Sequence, residues 1–248
     1  MKEQKELWIG VLTALSCVSV IYLHVNNVFW KHPNGWLWIS SNIIECLFYF
    51  AVPVFLMILG YTLLDYKTRY DTKTFIKKRI VRTVIPFLFW SVSFFFIYKK
   101  QNFFISFINC KIEGIYNFFP RLFACYFGII FLSFIPNKKQ LIKWLFLWSF
   151  LSYSIIPFLK RLFDFNISSI WQNPVGCDYL LFIFLGYILG CTQFSKKERE
   201  SIYFLGGIGL LCHIVGTIWL TPLQGKINIL FKGYPNWPCV LYSAAIFV

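Results

Sequence analysis

Charged side chains are scarce in this chain. They make up 14% of its 248 residues, against about 25% in soluble domains, and that scarcity excludes an ordinary soluble fold. Paired cysteines are missing too. The eight cysteines, at positions 17, 46, 110, 125, 177, 191, 212 and 239, include no CxxC and no paired spacing. Most fall inside apolar runs, where Cys behaves as a small hydrophobe, so neither a disulfide nor a metal site is expected. Repeats, low-complexity tracts and a soluble domain are absent as well. No cleavable leader is evident, because residues 1–6 run straight into a full-length apolar stretch.

What the chain has instead is hydrocarbon. It is 58% hydrophobic and 22% aromatic, with 30 Phe, and its mean hydropathy is +0.63. This composition marks a multi-pass membrane protein whose main partner is the lipid bilayer, expected in the cell membrane. The net charge of +14 then carries no nucleic-acid signal. Its cations fall in short loops, as orientation signals and anionic-lipid contacts.

A bilayer crossing takes about 20 apolar residues. Candidate spans fall at 7–30, 39–64, 83–98, 117–135, 141–159, 179–194 and 202–220, with a further one starting at 237. The expected fold is an all-α polytopic transmembrane helix bundle, one domain over 1–248, with seven complete spans and the start of an eighth. The run from 237 is still apolar at Val248, so further C-terminal helices are expected beyond it.

Orientation follows from the segment between the second and third spans. Lys67, Arg69, Lys73, Lys77, Lys78, Arg79 and Arg82 face a single acid there, Asp71. Such a cluster belongs on the cytoplasmic side, which places the N-terminus inside. Lys138, Lys139, Lys143, Lys196, Lys197 and Arg199 then fall inside as well. That gives 13 inner cations in three loops against 8 outer ones in four (Lys31, Lys99, Lys100, Lys111, Lys160, Arg161, Lys226 and Lys232). Trp30, Trp36 and Trp38 mark the outer interface.

Ionisable residues within spans are functional pointers, because hydrocarbon disfavours them. His24 lies six residues before the outer end of the first span. Glu45 lies six residues after the outer start of the second. At 1.5 Å per residue both sit about 9 Å deep, on consecutive antiparallel helices. Asn42, Glu45 and Tyr49 share a helix face, and Asn26 and Asn27 add polarity above His24. These residues outline a polar cavity open to the outside, with His24 and Glu45 in hydrogen-bond reach of each other. The same residues also suit interhelical hydrogen bonds that only fix packing. His213, mid-span beside Cys212 and Thr217, reads as packing.

Three stretches, VLTALSCVSVIYLHVN, ECLFYFAVPVFLMILGYTLLDY and TFIKKRIVRTVIPFLFW, resemble the integral-membrane acyltransferase family often called acyltransferase three. YNFFPRLFACYFGIIFLSFIP, DYLLFIFLGYILG and GYPNWPCVLYSAAIFV are similar to it too. The resemblance implies about ten helices and transfer of an acyl group, commonly acetyl from acetyl-coenzyme A, to a hydroxyl of a cell-surface or lipid-linked glycan. It implies that His24 is the family's first-helix histidine and that Arg79 and Arg82 are its RxxR motif. Two positions depart from the family pattern: Thr13 stands where an arginine is common, and Leu59 where a serine precedes Gly60.

On this reading His24 is the base that deprotonates the acceptor hydroxyl, with Glu45 orienting its ring. Asn27, Asn42 and Tyr49 line the acceptor site. Arg79 and Arg82, three apart on one helix face, grip the phosphates of the donor with Lys78 beside them. No metal is involved. A glycan or lipid precursor transporter, and a non-catalytic membrane subunit, suit the same polar intramembrane residues.

Overall fold

The computed structural model describes residues 2–31, 34–97, 103–110, 112, 114–164, 177–224 and 226–248. Tyr98, at the end of the expected third span, and the expected outer cations Lys99, Lys100 and Lys111 lie outside them. Every regular element among the described residues is helical, as the run lengths require. The helices are α1 (Lys2–Val25), α2 (Val28–Lys31), α3 (Gly35–Phe48), α4 (Ala51–Leu63), α5 (Thr72–Arg79), α6 (Ile85–Ile97) and α7 (Phe103–Ile108). They continue with α8 (Phe118–Ser133), α9 (Lys139–Phe150), α10 (Ile156–Phe163), α11 (Leu180–Gly190), α12 (Lys196–Gln224) and α13 (Trp237–Phe247).

Six helical stretches are long and apolar enough to cross a membrane: Leu7–Lys31, Gly35–Thr68, Thr72–Ile97, Gly114–Ser133, Lys139–Phe163 and Lys196–Pro222. The sixth expected span contributes only α11, whose 11 residues make about 16 Å of helix, half a bilayer core. Among the described residues there are therefore six such stretches and two short apolar helices, α11 and α13.

Prolines shape three of these stretches. A proline ring clashes with the carbonyl four residues earlier and donates no hydrogen bond. Pro86 and Pro157 each follow a π-helical turn, at Ile80–Val84 and Leu151–Ile155. There the Ile85 and Ile156 amides reach back five residues, to the carbonyls of Ile80 and Leu151. The wider turn absorbs the clash and keeps each helix continuous. Pro53 acts more severely, and α3 and α4 part at Tyr49 and Phe50.

The third stretch also begins at Thr72, earlier than the expected 83. Asp71 is the reason. Its Oδ1 accepts the Thr74 amide at 3.2 Å, capping α5, and the hydrogen bonds from Thr74 hold its carboxyl below the usual range. Most of the basic segment is thus helical.

The described chain divides into two compact units, one formed by Met1–Thr62 with Asn137–Val248 and the other by Leu63–Pro136. In the first, α4 crosses α11 at near backbone contact. A Cβ on Gly60 would overlap the Ile183 carbonyl, and one on Gly186 would overlap that of Met57. Small residues permit such approaches in membrane bundles, which is what Gly60 does here. Helix α1 buries only a seam with Ser16 and Ser19, while Leu7, Val11, Leu15, Val18 and Tyr22 are exposed. In the second unit the core is aromatic: Phe87 and Tyr116 are buried, with Phe94, Phe107, Phe119 and Phe123 packed on them.

Candidate functional site

A buried ion pair forms the polar centre of the first unit. Glu45 projects from the third turn of α3, and its Oε1 lies 3.2 Å from Nζ of Lys232, with side-chain exposures of 3% and 1%. Lys232 comes from the connection between α12 and α13. Its ammonium also rests on the Tyr49 ring, 3.9 Å from the centroid, and near those of Phe29 and Trp30 at 4.5 and 5.4 Å. Burial pulls the Lys232 pKa down, and the Glu45 carboxylate opposes that pull.

The other Glu45 oxygen, Oε2, accepts from Nδ2 of Asn26 at 3.1 Å. Asn26 Nδ2 also donates to the Ser41 carbonyl at 2.8 Å, and Ser41 Oγ donates to Asn26 Oδ1. The C-terminal end of α1 is therefore pinned to α3 through Asn26.

The connection that carries Lys232 is held from within. Nδ2 of Asn236 donates to the carbonyls of Ile229, Leu230 and Lys232 at 3.3, 3.2 and 2.9 Å. The Asn228 amide donates to Thr221 Oγ1 at 3.1 Å, tying the segment to α12. Tyr234 stacks on Tyr49 at 4.5 Å, and His213 meets Tyr49 edge-on at 5.2 Å. At the break between α3 and α4, Tyr49 thus meets Lys232, Tyr234 and His213. His213 is buried with Nε2 unpartnered among the described residues.

These contacts correct the expected His24–Glu45 pair. Both carboxylate oxygens of Glu45 are engaged by Lys232 and Asn26, while His24 is exposed in the last turn of α1. The expectation rests on depth along each helix and leaves rotation open. At about 100° per residue, His24 lies roughly 200° around the helix from Asn26. Asn26 faces Glu45, so His24 faces away. No hydrogen bond to its imidazole occurs among the described residues. Its carbonyl accepts from Nδ2 of the exposed Asn27 at 3.3 Å. Asn42 is buried and ties α3 to α12, donating to the Ile214 carbonyl at 3.2 Å and accepting weakly from Cys46 Sγ. Thr13 returns its hydroxyl to the Ile9 carbonyl at 2.7 Å.

The basic residues of the second unit are separated where a shared face was expected. Arg79 closes α5 and Arg82 sits in the π turn after it. Because that turn closes over five residues, positions three apart no longer lie one above the other. Arg79 lines a hollow with Phe75 and Tyr126, whereas the exposed Arg82 lines another with Thr83 and Trp90. Lys78 places its ammonium 3.9 Å from the Tyr70 ring centroid.

Sequence reasoning counted Lys232 only as an outer-loop cation. Its signal was present: a lone lysine in the apolar stretch INILFKGYPNW, with one buried acid elsewhere still lacking a counter-ion. No cluster of His, Cys, Asp and Glu among the described residues has a metal-binding arrangement.

No match was found among curated proteins or among solved structures. A family model described as an acyltransferase domain matches residues 6–248, essentially the whole chain. The chain belongs to the acyltransferase three family of membrane acyltransferases.

Proposed function

We propose that this protein moves an acetyl group from acetyl-coenzyme A to a hydroxyl of a cell-surface or lipid-linked glycan, with His24 as the base. The observation that carries the reading is the exposed imidazole of His24, free of protein hydrogen bonds among the described residues, on a helix end fixed by the Asn26–Glu45–Lys232 chain. A free ring nitrogen is what a general base needs. It takes the hydroxyl proton as the oxygen attacks the thioester carbonyl, and the resulting imidazolium protonates the departing thiolate. Such a base contributes about 10²–10⁴-fold.

Glu45 acts here as a positioning residue. It holds Asn26, two residues from His24, and so fixes where the ring stands. Asn27 remains assigned to the acceptor, whereas Tyr49 packs against Lys232, Tyr234 and His213 and Asn42 fixes α3 against α12. Donor phosphates go to Arg82, which is exposed and binds oxyanions through a charged fork, with Lys78 adding positive charge to the same segment. Arg79 faces a different hollow and is left out of this assignment. The positive-inside bias places the N-terminus and residues 67–82 in the cytoplasm of a cell-membrane protein.

Labelled acetate supplied to cells with and without the protein tests the reading. Label should enter envelope glycans as an alkali-labile ester only when the protein is present. Equal incorporation in both would overturn the proposed acceptor and donor.

A further inference from the structure

In the second unit, α5, the π turn, α6, α7 and α8 line an open apolar hollow of about 530 Å³. Phe75, Ile80, Phe87, Phe123, Phe127 and Ile130 are among its walls, and among the described residues Arg79 is the one charged residue lining it. The Arg79 Nε is buried and has no hydrogen-bond partner among the described residues. Its guanidinium carbon lies 5.5 and 5.7 Å from the ring centroids of Phe75 and Tyr126. The Tyr126 hydroxyl is already paired with Thr83 Oγ1 at 3.2 Å. The described residues thus supply no acceptor to the Arg79 Nε.

We propose that this hollow binds an anionic phospholipid of the surrounding bilayer, its phosphate on Arg79 and one acyl chain along the aromatic wall. A lone guanidinium in an apolar hollow complements an amphiphile whose anionic head joins directly to hydrocarbon. The guanidinium fork matches phosphate geometry. The volume falls within the ~300–1,000 Å³ of small-molecule sites. Seven cations against one acid over 67–82 draw anionic lipid to this segment. The widened turn beside Arg79 is a feature that recurs at functional positions. A coenzyme A thioester complements the hollow poorly, because its amide-bearing arm would lie against apolar walls with no partners. The site is independent of the acyl-transfer reading.

Retention of radiolabelled dioleoyl phosphatidylglycerol and phosphatidylcholine by the whole protein in detergent micelles is the test. The protein should retain phosphatidylglycerol at least about tenfold better, as expected for a charge-assisted hydrogen bond. Arg79→Gln should remove most of that preference, and Arg79→Lys, which keeps the charge but loses the fork, should remove part of it. Ile130→Trp, which fills the hollow and leaves Arg79 in place, should lower retention as well. Lys73→Gln should retain the lipid, and excess glycerol 3-phosphate should not displace it. No preference in the unmodified protein would overturn the site. Equal losses at Lys73 and Arg79 would replace it with diffuse surface attraction. Displacement by glycerol 3-phosphate, or full retention by Ile130→Trp, would show that no chain enters the hollow.

Discussion

Lys232 and Glu45, 187 residues apart in sequence, meet at 3.2 Å with both side chains buried. The pair joins the α12–α13 connection to α3 and, through Asn26, to the end of α1. It serves position more than net stability, since a buried pair must first offset the desolvation of both ions.

Removing one member should be costly. Lys232→Met leaves the Glu45 carboxylate buried with Asn26 as its remaining partner, and a broken buried pair costs about 3–5 kcal/mol. Thermal unfolding of the purified protein in detergent should show a clear drop for Lys232→Met. The double variant Glu45→Leu/Lys232→Met should recover much of it. Wild-type melting of Lys232→Met would show that the pair holds nothing in place.

Gly60 and Gly207 give a contrast within one chain. Gly60→Ala puts a methyl into the Ile183 backbone and should cost about 1–3 kcal/mol, as overpacking does. Gly207, exposed on α12, has nothing near its Cβ position. Gly207→Ala should be neutral or slightly stabilising, because Ala is the better helix former. The comparison is read by the same melting measurement, and equal effects would contradict the close α4–α11 crossing.

The proposed orientation is checked by cysteine labelling in a cysteine-free background. An impermeant thiol reagent applied to intact cells should modify Asn34→Cys and spare Thr72→Cys. The reverse pattern would invert the topology.

The donor assignment predicts a difference between two cations of the same helical stretch. Arg82→Ala should weaken acetyl-coenzyme A binding roughly 10- to 150-fold, the equivalent of a charge-assisted hydrogen bond of about 1.5–3 kcal/mol. Lys73→Ala should change it little. Titration of the donor against both variants checks this, and small equal effects would leave Arg82 with no donor role.

The helical class was legible because apolar runs of bilayer length allow few other folds. Glu45 was legible as a buried acid for the same reason. Its partner was not, since depth along a helix follows from counting while rotation depends on which face packs. Ser16, Ser19 and Asn26 turn toward the bundle, and that choice carries His24 outward. Lys232 was hidden because a cation near a span end reads as topology. Pro86 was plain in sequence, but its consequence was a wide turn that sends Arg79 and Arg82 to separate hollows, and simple α-helical spacing could not show it. Gly60 looked like a motif glycine, and only the facing Ile183 backbone explains it.

Acyl transfer by His24→Ala is the most direct measurement. The variant should be inserted in the membrane and melt like the unmodified protein, because its ring is exposed and holds no hydrogen bond among the described residues. Incorporation of labelled acetyl into envelope glycan should fall by about 10²-fold or more, the contribution of a general base. Full incorporation with His24→Ala would contradict the account at its centre and leave His24 as a surface histidine at the end of α1.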